Sequence, residues 1–278
     1  MAQGCERRSK HIIVRSLRDL FNFMIITSKS NKIVAYVSSL KNKKARRESG
    51  AYVVEGVKMV SEAIAAGKTI ETIIVSESAS RKLSFAADNA VIVSDEIFKR
   101  ISDEITPQGV LAVLKVDGDK LPKKQSGICV LLDGISDPGN LGTIFRTCAA
   151  VGLKDIYLVN CCDPYSPKTV RASMSGIFRV NVYECDYEQA LSAIGDIPLL
   201  VTDMGGENVF SFEPPQRYCV VVGNEANGVS KTLKDKATRK IGIPMAKTSE
   251  SLNAAVALSI TLYALTEGRG KSMTNSGD

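Results

Sequence analysis

Histidine is almost missing from this chain: His11 is the only one in 278 residues. That shortage removes a Ser-His-Asp triad, a His-paired cysteine nucleophile and any His-based metal site. The seven cysteines are an odd number without a C-x-x-C spacing, and Cys161 and Cys162 are adjacent. Such usage suits neither a zinc site nor a disulfide framework, and a reducing cytoplasm fits best. Trp is absent, and no apolar run is long enough to span a membrane. No G-x-G-x-x-G occurs, so the dinucleotide fingerprint is excluded. The stretch Gly223-x-x-x-x-Gly228-Val229-Ser230 nearly spells a phosphate-binding loop. Its required lysine is Val229, however, and Glu225 puts a negative charge where phosphates would sit. Chemistry here must run on Arg, Asn, Glu, Ser and a bound cofactor.

What is present leans toward an anionic partner, through a net charge of +6. Residues 1–23 are Arg-rich with few acids, a profile shared with transit peptides. Because Met24 reads like a natural start, we take them as an upstream extension, with residues 1–28 disordered. From residue 30 a helix carries Ile33, Val34, Val37 and Leu40. A basic run follows, with Lys43, Lys44, Arg46 and Arg47, which is either a solvated face or a contact for an RNA backbone. Strands are expected at 52–54, 72–75, 91–93 and 110–116, with helices at 56–66, 80–87 and 95–102. This alternation makes a small α/β domain over residues 29–116. The polar, Pro-bearing segment 117–126 reads as a linker.

A second α/β domain is expected over residues 127–268, followed by a flexible tail at 269–278. Its apolar strands fall at 128–132, 156–159, 180–183, 199–202, 220–222 and 240–243. Helices between them start after Asn140, at 168–175, 187–194 and 231–237, and near Ser251. The succession implies a mainly parallel sheet covered by helices. The last helix is apolar nearly all round, as in helices buried on a second face by a partner subunit. Three loops after apolar strands hold unusual polar residues. The first has Asn140 and, six on, Arg146; the second has Asn224, Glu225 and Gly228; the third has Ser249, Glu250, Ser251 and Asn253. If their strands are parallel neighbours, these loops meet at one crevice. Singly, Asn140, Ser251 and Ser230 read as helix caps and Arg146 as a surface residue.

Together the loops resemble the motifs of the SpoU (TrmH-like) RNA ribose methyltransferases of the SPOUT superfamily. Asp137-Pro-Gly-Asn140-Leu-Gly-Thr-Ile-Phe-Arg146 resembles the first motif and Gly223-Asn-Glu225-Ala-Asn-Gly228-Val-Ser230 the second. Ile243-Pro-Met245 with Ser251-Leu-Asn253 resembles the third. Residues 30–115 resemble the ribosomal-protein-like RNA-binding domain often fused in front. Ala226 and Val229 depart from the common glycine and leucine.

The resemblance implies a parallel sheet with a deep trefoil knot, an obligate homodimer, and no metal. It also implies S-adenosylmethionine, its adenine held by main-chain groups around Gly223, Ile243 and Leu252, with Met245, Asn224 and Gly228 beside them. The reaction implied is methyl transfer to a ribose 2′-hydroxyl, in ribosomal rather than transfer RNA. Arg146 would grip the phosphate and stabilise the developing alkoxide, while Asn140, Glu225, Ser251 and Asn253 orient the groups around it. Rival readings are an RNA-binding assembly factor without catalysis, a base-methylating enzyme, a transfer-RNA ribose methyltransferase and a nucleotide hydrolase.

Overall fold

The structure, a computed structural model, describes residues 25–81, 90–117, 124–224, 226–246, 248 and 251–267. It builds two sheets. In the front one, β1 (Ala51–Glu55), β2 (Ile70–Ser76), β3 (Ala90–Val93) and β4 (Val110–Lys115) lie in the order β1-β4-β2-β3. Strand β4 is antiparallel to both neighbours, and β2 is parallel to β3. Around it lie α1 (Lys32–Ser39), α2 (Lys43–Ser49), α3 (Val57–Ala65), α4 (Glu77–Ser80) and α5 (Asp95–Ile101). The basic run becomes α2 because the Asn42 side chain accepts from the Lys44 amide and Gly50, at φ 62°, ends the helix in the left-handed region. The helix expected at 80–87 lies mostly outside the described residues; α4 precedes it.

The rear sheet is wholly parallel and carries the site. Its strands are β5 (Cys129–Asp133), β6 (Asp155–Val159), β7 (Asn181–Glu184), β8 (Leu199–Asn208), β9 (Cys219–Gly223) and β10 (Arg239–Gly242). They lie in the order β10-β8-β9-β5-β6-β7. Strands β5 and β9 are buried at every residue, as expected of all-apolar runs covered on both faces. Helices α6 (Pro138–Ala150), α7 (Pro167–Ala172), α8 (Tyr187–Ile194), α9 (Lys231–Lys234) and α10 (Ala254–Glu267) cover it. Helix α7 stops short of the expected Ser175, because Met174 and Ser175 take positive φ and a 3-10 turn follows at Gly176–Phe178.

Two of the three expected caps are reassigned. Asp137, not Asn140, caps α6: its carboxylate accepts from the Asn140 amide at 2.9 Å, and Pro138 opens the helix. Asn253, not Ser251, caps α10, accepting from the Ala255 and Val256 amides. Ser230 caps α9 by position, but its hydroxyl makes no capping bond and is buried with no hydrogen-bond partner.

The two sheets share one hydrophobic core, in which Tyr52, Val54 and Leu114 pack with Val130, Phe145 and Leu262. Helix α10 turns Leu258, Leu262 and Leu265 inward, while Val256 and Tyr263 stand about half exposed.

Candidate active site

The loop after β9 closes on itself at a glycine. A Cβ on Gly223 would lie 2.1 Å from the Gly228 carbonyl carbon, and no side chain fits there. Gly228, at φ 66°, returns its amide to the Asn224 carbonyl at 2.8 Å. The Asn224 side chain ties this loop to the one after β5. Its Nδ2 donates to the Gly134 carbonyl at 2.9 Å, and its Oδ1 accepts from the Ala226 amide at 2.8 Å. The loop's far end is held by buried Asp133, which accepts from the Ser230 amide at 2.7 Å and from Tyr187 Oη at 2.8 Å. Both ends of the loop are thus fixed to β5, the strand beside β9.

Beside this loop is a cavity of about 550 Å³. Its wall includes Gly223, Asn224 and Gly228 from the β9 loop, Ile243 and Met245 after β10, and Ser251 and Leu252 before α10. All six residues expected at a cofactor therefore share one cavity with Ser251, of a size normal for small-molecule sites (roughly 300–1,000 Å³). The expected adjacency is incomplete, since β8 lies between β9 and β10. It adds Thr202, Asp203 and Met204 to the wall, and Lys234 comes from α9. Sequence reading missed these four. The polar segment after residue 202 looks like the end of a strand, yet β8 runs on to Asn208 with a register jump against β10 between Lys240 and Ile241. The jump presses backbones together: a Cβ on Gly206 would sit 2.5 Å from the Ile241 carbonyl carbon.

On the other side of α10 lies α6. Asn253 Nδ2 donates to Asn140 Oδ1 at 2.9 Å, and Thr147 and Ser259 hydroxyls meet at 2.9 Å, so the two helices cross in fixed register. Lys168 beside Asp137, at 2.9 Å, holds its carboxyl below the ordinary range, helped by the Asn140 amide. Arg146 is exposed on α6 and forms no ion pair among the described residues. The Gly176 turn packs on its backbone, where a Cβ would lie 2.7 Å from the Arg146 Cα. Arg146 is therefore anchored by its main chain and leaves its guanidinium outside the cavity wall. Glu225, with Ser249 and Glu250, lies outside the described residues. Burial pushes the nearby thiols of Cys161 and Cys162 up to about 12 and about 11, so neither offers a thiolate near neutral pH.

The basic run divides. Lys43, Lys44 and Arg47 are exposed. Arg46, expected among the RNA contacts, is instead buried at 6% exposure. Its Nε and Nη2 both reach Asp163 Oδ2, at 3.2 and 2.5 Å, and its Nη1 donates to the Leu40 carbonyl at 2.6 Å. With its donors committed, Arg46 joins the two sheets and is withdrawn from the RNA surface. Among the described residues no cluster of His, Cys, Asp and Glu fits a metal ion, and no helix is long and apolar enough to cross a membrane.

Residues 127–263 match the SpoU rRNA methylase family, and residues 31–112 match the MRM3-like substrate binding domain. The 23S rRNA (guanosine(2553)-2′-O)-methyltransferase RlmP of Bacillus subtilis is 28% identical over 245 residues, covering 86% of this chain and 98% of its own. The 23S rRNA (uridine(2479)-2′-O)-methyltransferase of Streptomyces viridochromogenes is 28% identical over 258 residues, covering 86% and 90%. Among solved structures, an AdoMet-bound rRNA methyltransferase from Sinorhizobium meliloti superposes with a TM-score of 0.78 at 27% identity, over 88% of this chain and 98% of the other.

Proposed function

The chain belongs to the SpoU rRNA methylase family, and on that premise we propose an S-adenosylmethionine-dependent transfer of a methyl group to a ribose 2′-hydroxyl of ribosomal RNA. The observation that carries this reading is the cavity of about 550 Å³ whose wall is built from the second and third sequence motifs. It fits the cofactor: Gly223 lets the loop fold back so that the main chains of Gly223 and Gly228 both reach the wall, where they can meet an adenine edge, and Ile243 and Leu252 offer apolar cover for its ring. When bound there, S-adenosylmethionine supplies an electrophilic methyl group. The protein's part is to place a 2′-hydroxyl in line with it and to stabilise charge as the oxygen loses its proton.

Arg146 suits that second task as a donor. A guanidinium stays protonated at ordinary pH, so it serves as clamp and oxyanion partner rather than base. The Asn140–Asn253 bond holds the helix bearing Arg146 against the helix that follows the cofactor wall. Ser251 sits on that wall, and Glu225, outside the described residues, belongs to the second motif by sequence. Lys43 and Lys44 give an exposed basic face for the RNA backbone, while Arg47 beside them is paired with Glu184 at 3.2 Å.

The same reading extends to the assembly and its surroundings. Residues 29–116 are the substrate-binding domain and 127–268 the catalytic one. The segment around β10 and α10 is read as knotted, a reading supported by the return of the chain from β10, at the sheet edge beside β8, to α10, which packs on α6 and β9. The half-exposed apolar residues Val256 and Tyr263 on α10 support a homodimer. Free cysteines at all six described positions support a reducing cytoplasm.

The test is methyl transfer from labelled S-adenosylmethionine to ribosomal RNA, followed by alkaline hydrolysis. A 2′-O-methyl group blocks cleavage of the adjacent phosphodiester, so label should appear in alkali-resistant dinucleotides. Label in mononucleotides would mean base methylation. RNA binding without label would mean a binding factor, and label confined to transfer RNA would move the substrate.

A further inference from the structure

One pair of charges in the cavity has no part in the roles above. Asp203 and Lys234 are the only titratable side chains among its described wall residues; the rest are apolar or neutral. They face each other with Lys234 Nζ 3.9 Å from Asp203 Oδ2, too far for a hydrogen bond, and each is about a third exposed. Asp203 Oδ1 is used, accepting from the Gly205 amide at 3.1 Å. Its Oδ2 and the Lys234 ammonium take no hydrogen bond among the described residues. Nor is the position accidental to the backbone. Asp203 lies in the part of β8 skipped by the register jump, held where its carbonyl meets Gly242: a Cβ on that glycine would be 2.6 Å away. Lys234 reaches across the β9 loop, its Nζ 3.8 Å from where a Gly228 Cβ would be.

An open carboxylate and ammonium about 4 Å apart, on an otherwise neutral wall, complement a ligand carrying the same two charges at a similar separation. An α-amino acid has that pattern and adenosine does not. We propose that Asp203 and Lys234 hold the amino-acid end of the cofactor, Asp203 taking its α-ammonium and Lys234 its α-carboxylate. This rests on the methyltransferase reading and adds to it which residues recognise the zwitterion. The pair exchanges one loose contact with itself for two charge-assisted hydrogen bonds with the ligand.

Calorimetric titration with S-adenosylhomocysteine and with 5′-methylthioadenosine tests this, because the second ligand keeps the adenosine and thioether but lacks the amino acid. Asp203→Asn retains the acceptor for Gly205, and Lys234→Gln is the independent second variant. Each should weaken S-adenosylhomocysteine by roughly ten- to a hundredfold, the range for one hydrogen bond to a charged group. Binding of 5′-methylthioadenosine should stay within about twofold of the unsubstituted protein. Equal weakening of both ligands would overturn the assignment and place the pair at the adenosine end or in the wall. So would unchanged binding of both. If the unsubstituted protein takes up neither ligand, it is the methyltransferase reading itself that fails.

Discussion

The carboxyl edge of the rear sheet is treated in opposite ways at its two ends. Over β6 and β7 it is sealed by protein. Helix α2 lies there, with Arg46 on Asp163 and Arg47 on Glu184, while Tyr52 of the front sheet packs on Tyr165 at 4.9 Å between ring centroids. Over β8, β9 and β10 the same edge is left open as a cavity, walled by glycines and apolar side chains. Charges at the sealed end are paired: Arg179 with Glu62 and Arg171 with Glu104 also bridge the sheets. Facing the open end, Asp203 and Lys234 leave hydrogen-bonding capacity unused, and on α6 Arg146 has no partner among the described residues. Spent charge marks where the protein holds itself together, and unspent charge marks where something else is to be held.

If that distinction is sound, the sealed end should answer to substitution through stability. Arg46→Ala strands the Asp163 carboxylate, only 13% exposed, and breaking a buried pair costs roughly 3–5 kcal/mol. In a chain of this size that is a fall in melting temperature of roughly 6–20 °C. Replacing both partners, as Arg46→Met with Asp163→Leu, should recover most of the loss, because the desolvation penalty goes with the pair. Thermal denaturation of the single and double variants decides it. A single variant as stable as the parent would make the contact an ornament of the docking surface.

The contrast also explains what could be read from the sequence. Strands β5 and β9 announced themselves as apolar runs, and the polar loops after them and after β10 stood out because nothing in a core explains Asn140, Asn224 or Asn253. The continuation of β8 through Met204 and Gly206 did not, since glycines and an acid look like a loop when the strand they face is unknown. Nor was Arg46 separable from Lys43, Lys44 and Arg47, for its partner lies 117 residues away. Solvation or pairing of a charge is decided by tertiary placement, which a local run of basic residues does not encode.

Arg146 offers the next break, at the open end, where function should suffer and stability should not. Its side chain is exposed and its backbone is held by the Gly176 turn, so Arg146→Ala should change stability by no more than about 0.5 kcal/mol. Methyl transfer should drop by roughly two to three orders of magnitude, as when one transition-state donor is lost. Arg146→Lys should restore little, because a single ammonium lacks the planar fork that reaches a phosphate and a ribose oxygen together. Binding of S-adenosylhomocysteine should persist, since Arg146 is not on the cavity wall. Activity lost only in proportion to folded protein would move Arg146 to the sealed category.

The smallest effect should come from the outer face of α2, which belongs to neither end. Lys43 and Lys44 project into solvent from the helix that Arg46 anchors, and among the described residues Lys44 pairs with Glu48 alone, 3.8 Å away with both side chains largely exposed. A pair of that kind contributes little to stability, so its loss should leave the melting temperature unchanged. If the lysines neutralise RNA phosphates, each released counterion steepens the salt dependence of binding. Lys43→Ala with Lys44→Ala should then weaken RNA binding at low salt and reduce the slope of log affinity against log salt by roughly one unit per lysine. Cofactor affinity should be untouched, because neither residue borders the cavity. The slope is the informative quantity, since lowered affinity alone would also follow from a disturbed α2. An unchanged slope would make these lysines a solvated face, and would leave α2 with docking, through Arg46, as its whole purpose.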